Sequence, residues 1–289
     1  MIKQAHPPLP LDELTAAIAG FPTCSMPEKN ELITRLIGVH PIVNLEWGPG
    51  WRYRRARLLG SAEVPATVDD VIWRKGAPAE LGRANPAGFQ VLYLADRPDT
   101  AFREVGATND LAVLAEFEIL PGRSVRVIPI GELAQIQRTG RGYLSGDASS
   151  NLTNVLNACA LDEAKSMLIT DDFLLECLTN PSDDYVLSSR VAMSIFDKLP
   201  FVSVVAYPSR RQSGAINFAV RVERFWDDWG ISAVRRGRAI HLAQGYYRFT
   251  DIRHVSGITV GGLLEWGADI DVENSVVLLR PLWTQSAAG

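Results

Sequence analysis

Four arginines fall within seven residues in Trp51-Arg52-Tyr53-Arg54-Arg55-Ala56-Arg57. A planar guanidinium donates two parallel hydrogen bonds, a geometry that suits phosphate oxygens. Gly82-Arg83-Ala84-Asn85-Pro86 reads as a glycine-bearing turn where backbone can approach a ligand. The apolar run Phe89–Ala95 then leads into a segment with one early glutamate, Glu104. A carboxylate without a partner carboxylate suits a reaction that develops positive charge, such as an oxocarbenium ion at a ribose carbon. Together these features read as a site for an anionic sugar phosphate or nucleotide. A salt-bridged surface strand is the bland alternative for the arginines.

Other chemistries lack their signatures. There is no G-x-x-x-x-G-K-[ST] loop, no G-x-S-x-G elbow and no H-E-x-x-H pair. His6, His40, His241 and His254 are scattered, so no metal site is expected. The acidic doublets Asp69-Asp70, Asp171-Asp172, Asp183-Asp184 and Asp227-Asp228 read as solvated turn or cap residues. Cys24, Cys159 and Cys177 show no C-x-x-C spacing and read as small buried hydrophobes in a reducing compartment.

The elements that must hold these residues follow from periodicity. Residues 9–39 carry apolar positions at helical spacing, broken at Phe21-Pro22. In the arginine segment, alternation sends Trp51, Tyr53, Arg55 and Arg57 to one face of a strand. Residues 61–88 read as loop, 89–95 as a strand, and Asp99 or Thr100 as the start of the helix bearing Glu104. Leu111–Ile119 and Ser124–Ile130 read as two strands across a Pro121-Gly122 turn. Helices are expected over 151–178 and 185–199, and strands over 201–207 and 216–222. Residues 225–289 hold Trp226, Trp229, Trp266 and Trp283 and read as short strands.

The chain has 289 residues, 47% hydrophobic and 21% charged, which excludes wholesale disorder. Its net charge is −4, so nucleic acid is a poor candidate partner. No signal peptide or membrane-spanning run is visible, and a cytoplasmic location is expected.

The segments 82–95 and Thr100-Ala101-Phe102-Arg103-Glu104-Val105 resemble the core of the RES-domain family, named for an Arg, a Glu and a Ser. Arg55-Ala56-Arg57 meets its opening Arg-x-Arg strand, although Ala56 stands where some members carry a tyrosine. Tyr207-Pro208-Ser209 and Asn217 meet its closing turn and downstream asparagine. The resemblance covers roughly residues 50–222.

The resemblance implies an α+β, ADP-ribosyltransferase-like fold, a split antiparallel β core with surrounding helices. The expected layout is a helical extension over 1–48, an NAD-binding catalytic domain over 49–224, and a Trp-rich extension over 225–289. NAD is implied as a substrate rather than a cofactor, cleaved at the nicotinamide–ribose bond by hydrolysis or phosphorolysis. Arg55, Glu104 and Ser209 would be the catalytic residues, and Arg57, Arg83, Tyr93 and Asn217 would bind NAD. The implied role is that of a bacterial toxin paired with a helix-turn-helix (Xre-type) antitoxin. A protein ADP-ribosyltransferase and an inactive NAD-binding module are the rivals, and a homo-oligomer stays open.

Overall fold

The apolar spacing near the N-terminus folds as two helices, α1 (Leu11–Gly20) and α2 (Met26–Val39). A 3-10 turn at Phe21–Thr23 separates them, at the Phe21-Pro22 break. Pro27 lies in the first turn of α2, where its missing N–H would be unpaired anyway. The computed structural model describes residues 7–73, 78–179 and 185–269. His6, Asp183-Asp184 and Trp283 lie outside the described residues, as does the expected extension beyond residue 269.

The described strands are β1 (Leu45–Trp47), β2 (Arg52–Leu58), β3 (Val91–Ala95), β4 (Asn109–Ile119) and β5 (Val125–Pro129). They continue as β6 (Val204–Pro208), β7 (Ile216–Arg221), β8 (Trp229–Ala243), β9 (Tyr246–Ile258) and β10 (Leu264–Asp269). The intervening helices are α3 (Pro98–Glu104), α4 (Glu132–Thr139), α5 (Ser149–Asn157), α6 (Leu161–Thr179), α7 (Val186–Lys198) and the short α8 (Phe225–Asp228). These strands form one sheet in the order β1-β5-β6-β7-β3-β2-β4-β8-β9-β10. β5 and β6 run parallel; the other pairings among the described residues are antiparallel. The chain is therefore α+β.

β2 and β3 meet at one residue pair, Arg54 opposite Ala95. Elsewhere β2 runs against β4 from Arg52 to Leu58, and β3 against β7 from Val91 to Ala95. The two halves of the sheet thus part along β2 and β3, which leaves room for a cleft.

Two readings of the sequence change here. The strands across the Pro121-Gly122 turn do not pair with each other: β4 lies between β2 and β8, and β5 between β1 and β6. Residues 229–258 form not short strands but two long ones, of 15 and 13 residues, and β8 pairs β4 from Trp229 to Ile240. Trp229 is buried, and Trp266 donates its indole N–H to the Pro65 carbonyl at 2.7 Å. Of these tryptophans Trp226 is the exposed one among the described residues, so they do not form a continuous aromatic surface.

Helices α1, α2, α6 and α7 cover one face of the β3–β5–β6–β7 half. Leu14, Ile33, Leu36, Phe173, Leu174, Val191 and Ile195 pack there with Ile128, Val205 and Ala219. Each fully buried Leu or Ile contributes about 1.5–3 kcal/mol. A second cluster joins Tyr53, Phe117, Phe218, Phe225 and Trp229, and a third packs α3 on β2, β4, β8 and β9.

Two buried carboxylates organise loops in place of water. Asp171 on α6 accepts the backbone N–H groups of Gly131 (3.0 Å) and Ala134 (3.1 Å), capping α4 from a distance. It is buried rather than solvated, unlike Asp172, which pairs with Arg138 on the surface. Glu132, with no exposed surface, accepts N–H groups from Tyr143, Leu144 and Ser145. Gly142 is required beside it, because a Cβ there would stand 1.9 Å from Glu132 Oε1. Glu132→Gln turns an accepting oxygen into an N–H₂ facing N–H donors. It is expected to cost about 2 kcal/mol, read as a lower denaturant midpoint at unchanged m-value.

Candidate active site

Where β2 and β3 part, a cleft of about 590 Å³ opens. Along β2 the alternation read from sequence holds for Tyr53 and Arg55. Tyr53 is buried edge-on against Phe218 and Trp229, with ring centroids at 5.1 and 4.9 Å. Arg55, two residues on, lines the cleft. Its Nη1 donates to the Tyr93 carbonyl at 3.4 Å, and among the described residues no carboxylate forms an ion pair with it. Burial, and the neighbouring Arg57, push its guanidinium below the ordinary value. A desolvated cation without a counter-ion is costly, and an anionic ligand offsets that cost.

Arg57 does not reach the cleft. At the end of β2 its Nε donates to the Asp70 carbonyl (3.0 Å), and its Nη1 pairs with Glu63 at 2.6 Å. It does not line the cleft. Arg54 does line it, but is committed to the carbonyls of Arg52 and Asp96 and lies 3.8 Å from Glu116.

The Gly82–Asn85 turn forms the neighbouring wall. Asn85 is buried, and its side-chain N–H₂ donates to the carbonyls of Glu80 and Pro86. Its Oδ1 accepts the Tyr93 hydroxyl at 2.7 Å, while that hydroxyl accepts the Ala84 N–H at 2.8 Å. Tyr93 thus has its phenol fixed in the turn and its side chain lining the cleft. Arg83 donates to the Leu178 carbonyl at 3.0 Å, and its guanidinium lies over the Tyr185 ring at 5.3 Å.

A Cβ at Gly82 would stand 2.6 Å from Asn85 Oδ1 and 2.8 Å from Tyr93 Oη. Gly82→Ala therefore displaces the turn. Overpacking of this kind costs about 1–3 kcal/mol. The expected result is a lower melting temperature; an unchanged melting temperature would show that the turn absorbs the methyl group without strain.

Glu104 is the last residue of α3. Pro98 opens that helix, and Thr100 Oγ1 donates to Asp96 Oδ1 at 2.8 Å. Ala101 and Phe102 bury the inner face, which turns Glu104 toward the cleft. Glu104 Oε1 accepts hydrogen bonds from Ser209 Oγ at 2.6 Å and Asn217 Nδ2 at 2.7 Å. Ser209 Oγ in turn accepts the N–H groups of Arg211 (3.1 Å) and Gln212 (3.0 Å). Pro208 ends β6, and Ser209 opens the tight turn that follows. Asn217 sits on β7 opposite both Ala95 and Tyr207. A carboxylate at the C-terminal end of a helix faces the negative end of the dipole, and these donors offset that disadvantage.

The structure thus brings Arg55, Arg83, Tyr93, Glu104 and Asn217 around one cleft, with Ser209 behind Glu104, and leaves Arg57 outside. Sequence reasoning missed Arg210 and Arg211, both exposed and both lining the cleft, with Arg211 Nε 3.8 Å from Glu104 Oε2. Their signal was a pair of arginines directly after Ser209. Tyr185 and Tyr207 also line the cleft. Among the described residues, no group of three His, Cys, Asp or Glu is placed to hold a metal ion, and no helix is long and apolar enough to cross a membrane.

Among the described residues, five guanidinium groups and one glutamate line this cleft. The family model of the RES domain matches residues 51–228, well over half of the chain, and the chain belongs to the RES-domain family. The match runs from the arginine strand to α8 and includes Arg55, Glu104, Ser209 and Asn217; β8, β9 and β10 lie beyond it. RES domains are associated with NAD-related function. No curated protein and no solved structure gives a match.

Proposed function

We propose that this protein cleaves NAD at the nicotinamide–ribose bond, with an ADP-ribosyltransferase-like split core as the scaffold. The observation that carries the reading is the Glu104 carboxylate, fixed by Ser209 and Asn217 in a cleft whose facing strand presents Arg55, with no carboxylate partner among the described residues. Arg55 holds the pyrophosphate or its ribose, and Arg83 adds a second phosphate contact. Tyr93 presents its ring to the nicotinamide.

The bond from ribose C1′ to the pyridinium nitrogen breaks, and its electron pair neutralises that nitrogen. Positive charge develops on the ribose, where Glu104 stabilises it more strongly than in the ground state. Water adds at C1′ and loses a proton to give ADP-ribose; phosphate would give the 1-phosphate of ADP-ribose instead. Anchoring the ADP-ribose half positions the bond. A toxin role in the cytoplasm, restrained by a helix-turn-helix antitoxin that plugs the cleft, completes the reading.

The test is chromatographic measurement of nicotinamide released from NAD by the purified protein, with and without inorganic phosphate. Stoichiometric nicotinamide and ADP-ribose, or its 1-phosphate, support the reading. Nicotinamide release only when lysate protein becomes labelled would replace it with protein ADP-ribosylation. Binding of NAD without release would reduce the site to a binding module.

A further inference from the structure

The segment beyond the family match makes a set of contacts with the helix that carries Glu104. Tyr247, on β9, holds α3 at both ends. Its backbone N–H donates to Asp99 Oδ1 in the first turn, at 2.7 Å. Its phenol donates to the Ala107 carbonyl, three residues past Glu104, at 3.0 Å. Between these bonds the Phe102 ring lies 5.6 Å from the Tyr247 ring and 5.0 Å from the Phe249 ring. The strand is close enough for this because Gly237, opposite on β8, has no Cβ; one would stand 2.6 Å from the Thr250 carbonyl oxygen and 3.0 Å from the Phe249 ring. His241 adds a backbone bond to the Thr108 carbonyl at 2.7 Å.

The same hairpin reaches the other side of the carboxylate. Gln212, whose backbone N–H supports Ser209 Oγ, donates its side-chain amide to the Gln244 carbonyl in the β8–β9 turn at 3.4 Å. Gln244 and Gly245 both have positive φ, 54° and 81°, and the end of the Gln212 side chain lies against Gly245. One hairpin therefore contacts both the helix that bears Glu104 and the turn that bears its hydrogen-bond donor.

We propose that the β8–β9 hairpin is a part of the catalytic unit, with Tyr247 a positioning residue that fixes α3 and so sets Glu104 against Ser209 and Asn217. This rests on the assignment of Glu104 to NAD cleavage. A helix of seven residues has too few internal hydrogen bonds to hold its own last residue in register. External bonds at both ends supply that order. Tyr247 does not touch substrate; its effect passes through the backbone of 98–107.

The test compares Tyr247→Phe, Tyr247→Ala and the control Tyr246→Ala, whose side chain is exposed on the same strand. Turnover is normalised to binding sites counted by calorimetric titration with ADP-ribose, so misfolded protein is not counted. Backbone hydrogen exchange is followed over residues 98–107. The expected result is a kcat per site lowered about fivefold in Tyr247→Phe, the effect of one lost hydrogen bond, and lowered further in Tyr247→Ala. KM should stay within about twofold, and exchange over 98–107 should accelerate, while Tyr246→Ala matches wild type in all three. Wild-type kcat per site with unchanged exchange in Tyr247→Phe would overturn the proposal. If wild-type protein releases no nicotinamide, the catalytic reading fails by itself, and exchange over 98–107 still decides whether Tyr247 holds the helix.

Discussion

Replacing Glu104 by glutamine lowers kcat for nicotinamide release by about 10²–10³, the effect of removing one preorganised charge-stabilising group, near 3–4 kcal/mol. The substitution is nearly isosteric. The amide oxygen still accepts the hydrogen bonds from Ser209 and Asn217, which are 2.6 and 2.7 Å from Oε1 in the native protein. What disappears is the negative charge, which matters most when the ribose becomes cationic. KM should therefore change by less than about threefold, since ground-state contacts to the ADP-ribose half are intact. The melting temperature should stay close to that of wild type. A raised KM with kcat unaltered would remove Glu104 from the chemistry and make it a binding group.

The second large effect falls on Arg55. Its guanidinium is desolvated, bonded to one carbonyl at 3.4 Å, and without an ion-pair partner among the described residues. Arg55→Ala removes a half-buried charge that the ligand phosphates would otherwise meet. Truncating one member of a buried charge pair costs about 2–5 kcal/mol, so kcat/KM should fall by roughly a hundredfold, mostly through KM. Unlike the glutamate substitution, this one should leave the apo protein as stable or slightly more stable, because a half-buried cation with no ion-pair partner among the described residues is gone. Arg55→Lys should recover little, since an ammonium cannot reproduce the two-pronged contact. Marked destabilisation of the apo protein instead would show that Arg55 is a structural prop.

The sequence made the chemistry of this cleft more legible than its geometry. Glu104 was identifiable by its residue type and place, and Ser209 and Asn217 through the resemblance to the RES family, yet their convergence over 105 and 113 residues depends on β3, β6 and β7 being neighbours. No local pattern encodes that adjacency. Alternation on β2 gives a face but not a reach: a loop carboxylate, Glu63, captures Arg57 at the end of the strand, and Arg57 does not line the cleft. Tyr93 was legible as a cleft residue, whereas the fixing of its phenol by Ala84 and Asn85 needed the turn to be closed. The basic run Val234–Arg238 hid a long strand, since arginines at 235, 236 and 238 stand where apolar residues would mark a face, and the buried Val234 and Ala239 lie on opposite faces of β8. Asp171 read as a surface residue because a helix cap supplied from another helix leaves no trace in neighbouring residues.

The single pairing of Arg54 with Ala95 has a consequence for how the site is assembled. Arg55 belongs to the half-sheet of β2, β4, β8, β9 and β10, whereas Tyr93 and Asn217 belong to β3 and β7, with Ser209 just past β6, in the other half. Glu104 sits on the connection that crosses between them. Neither half contains a working set of residues. The set is complete only where the two halves meet along β2 and β3.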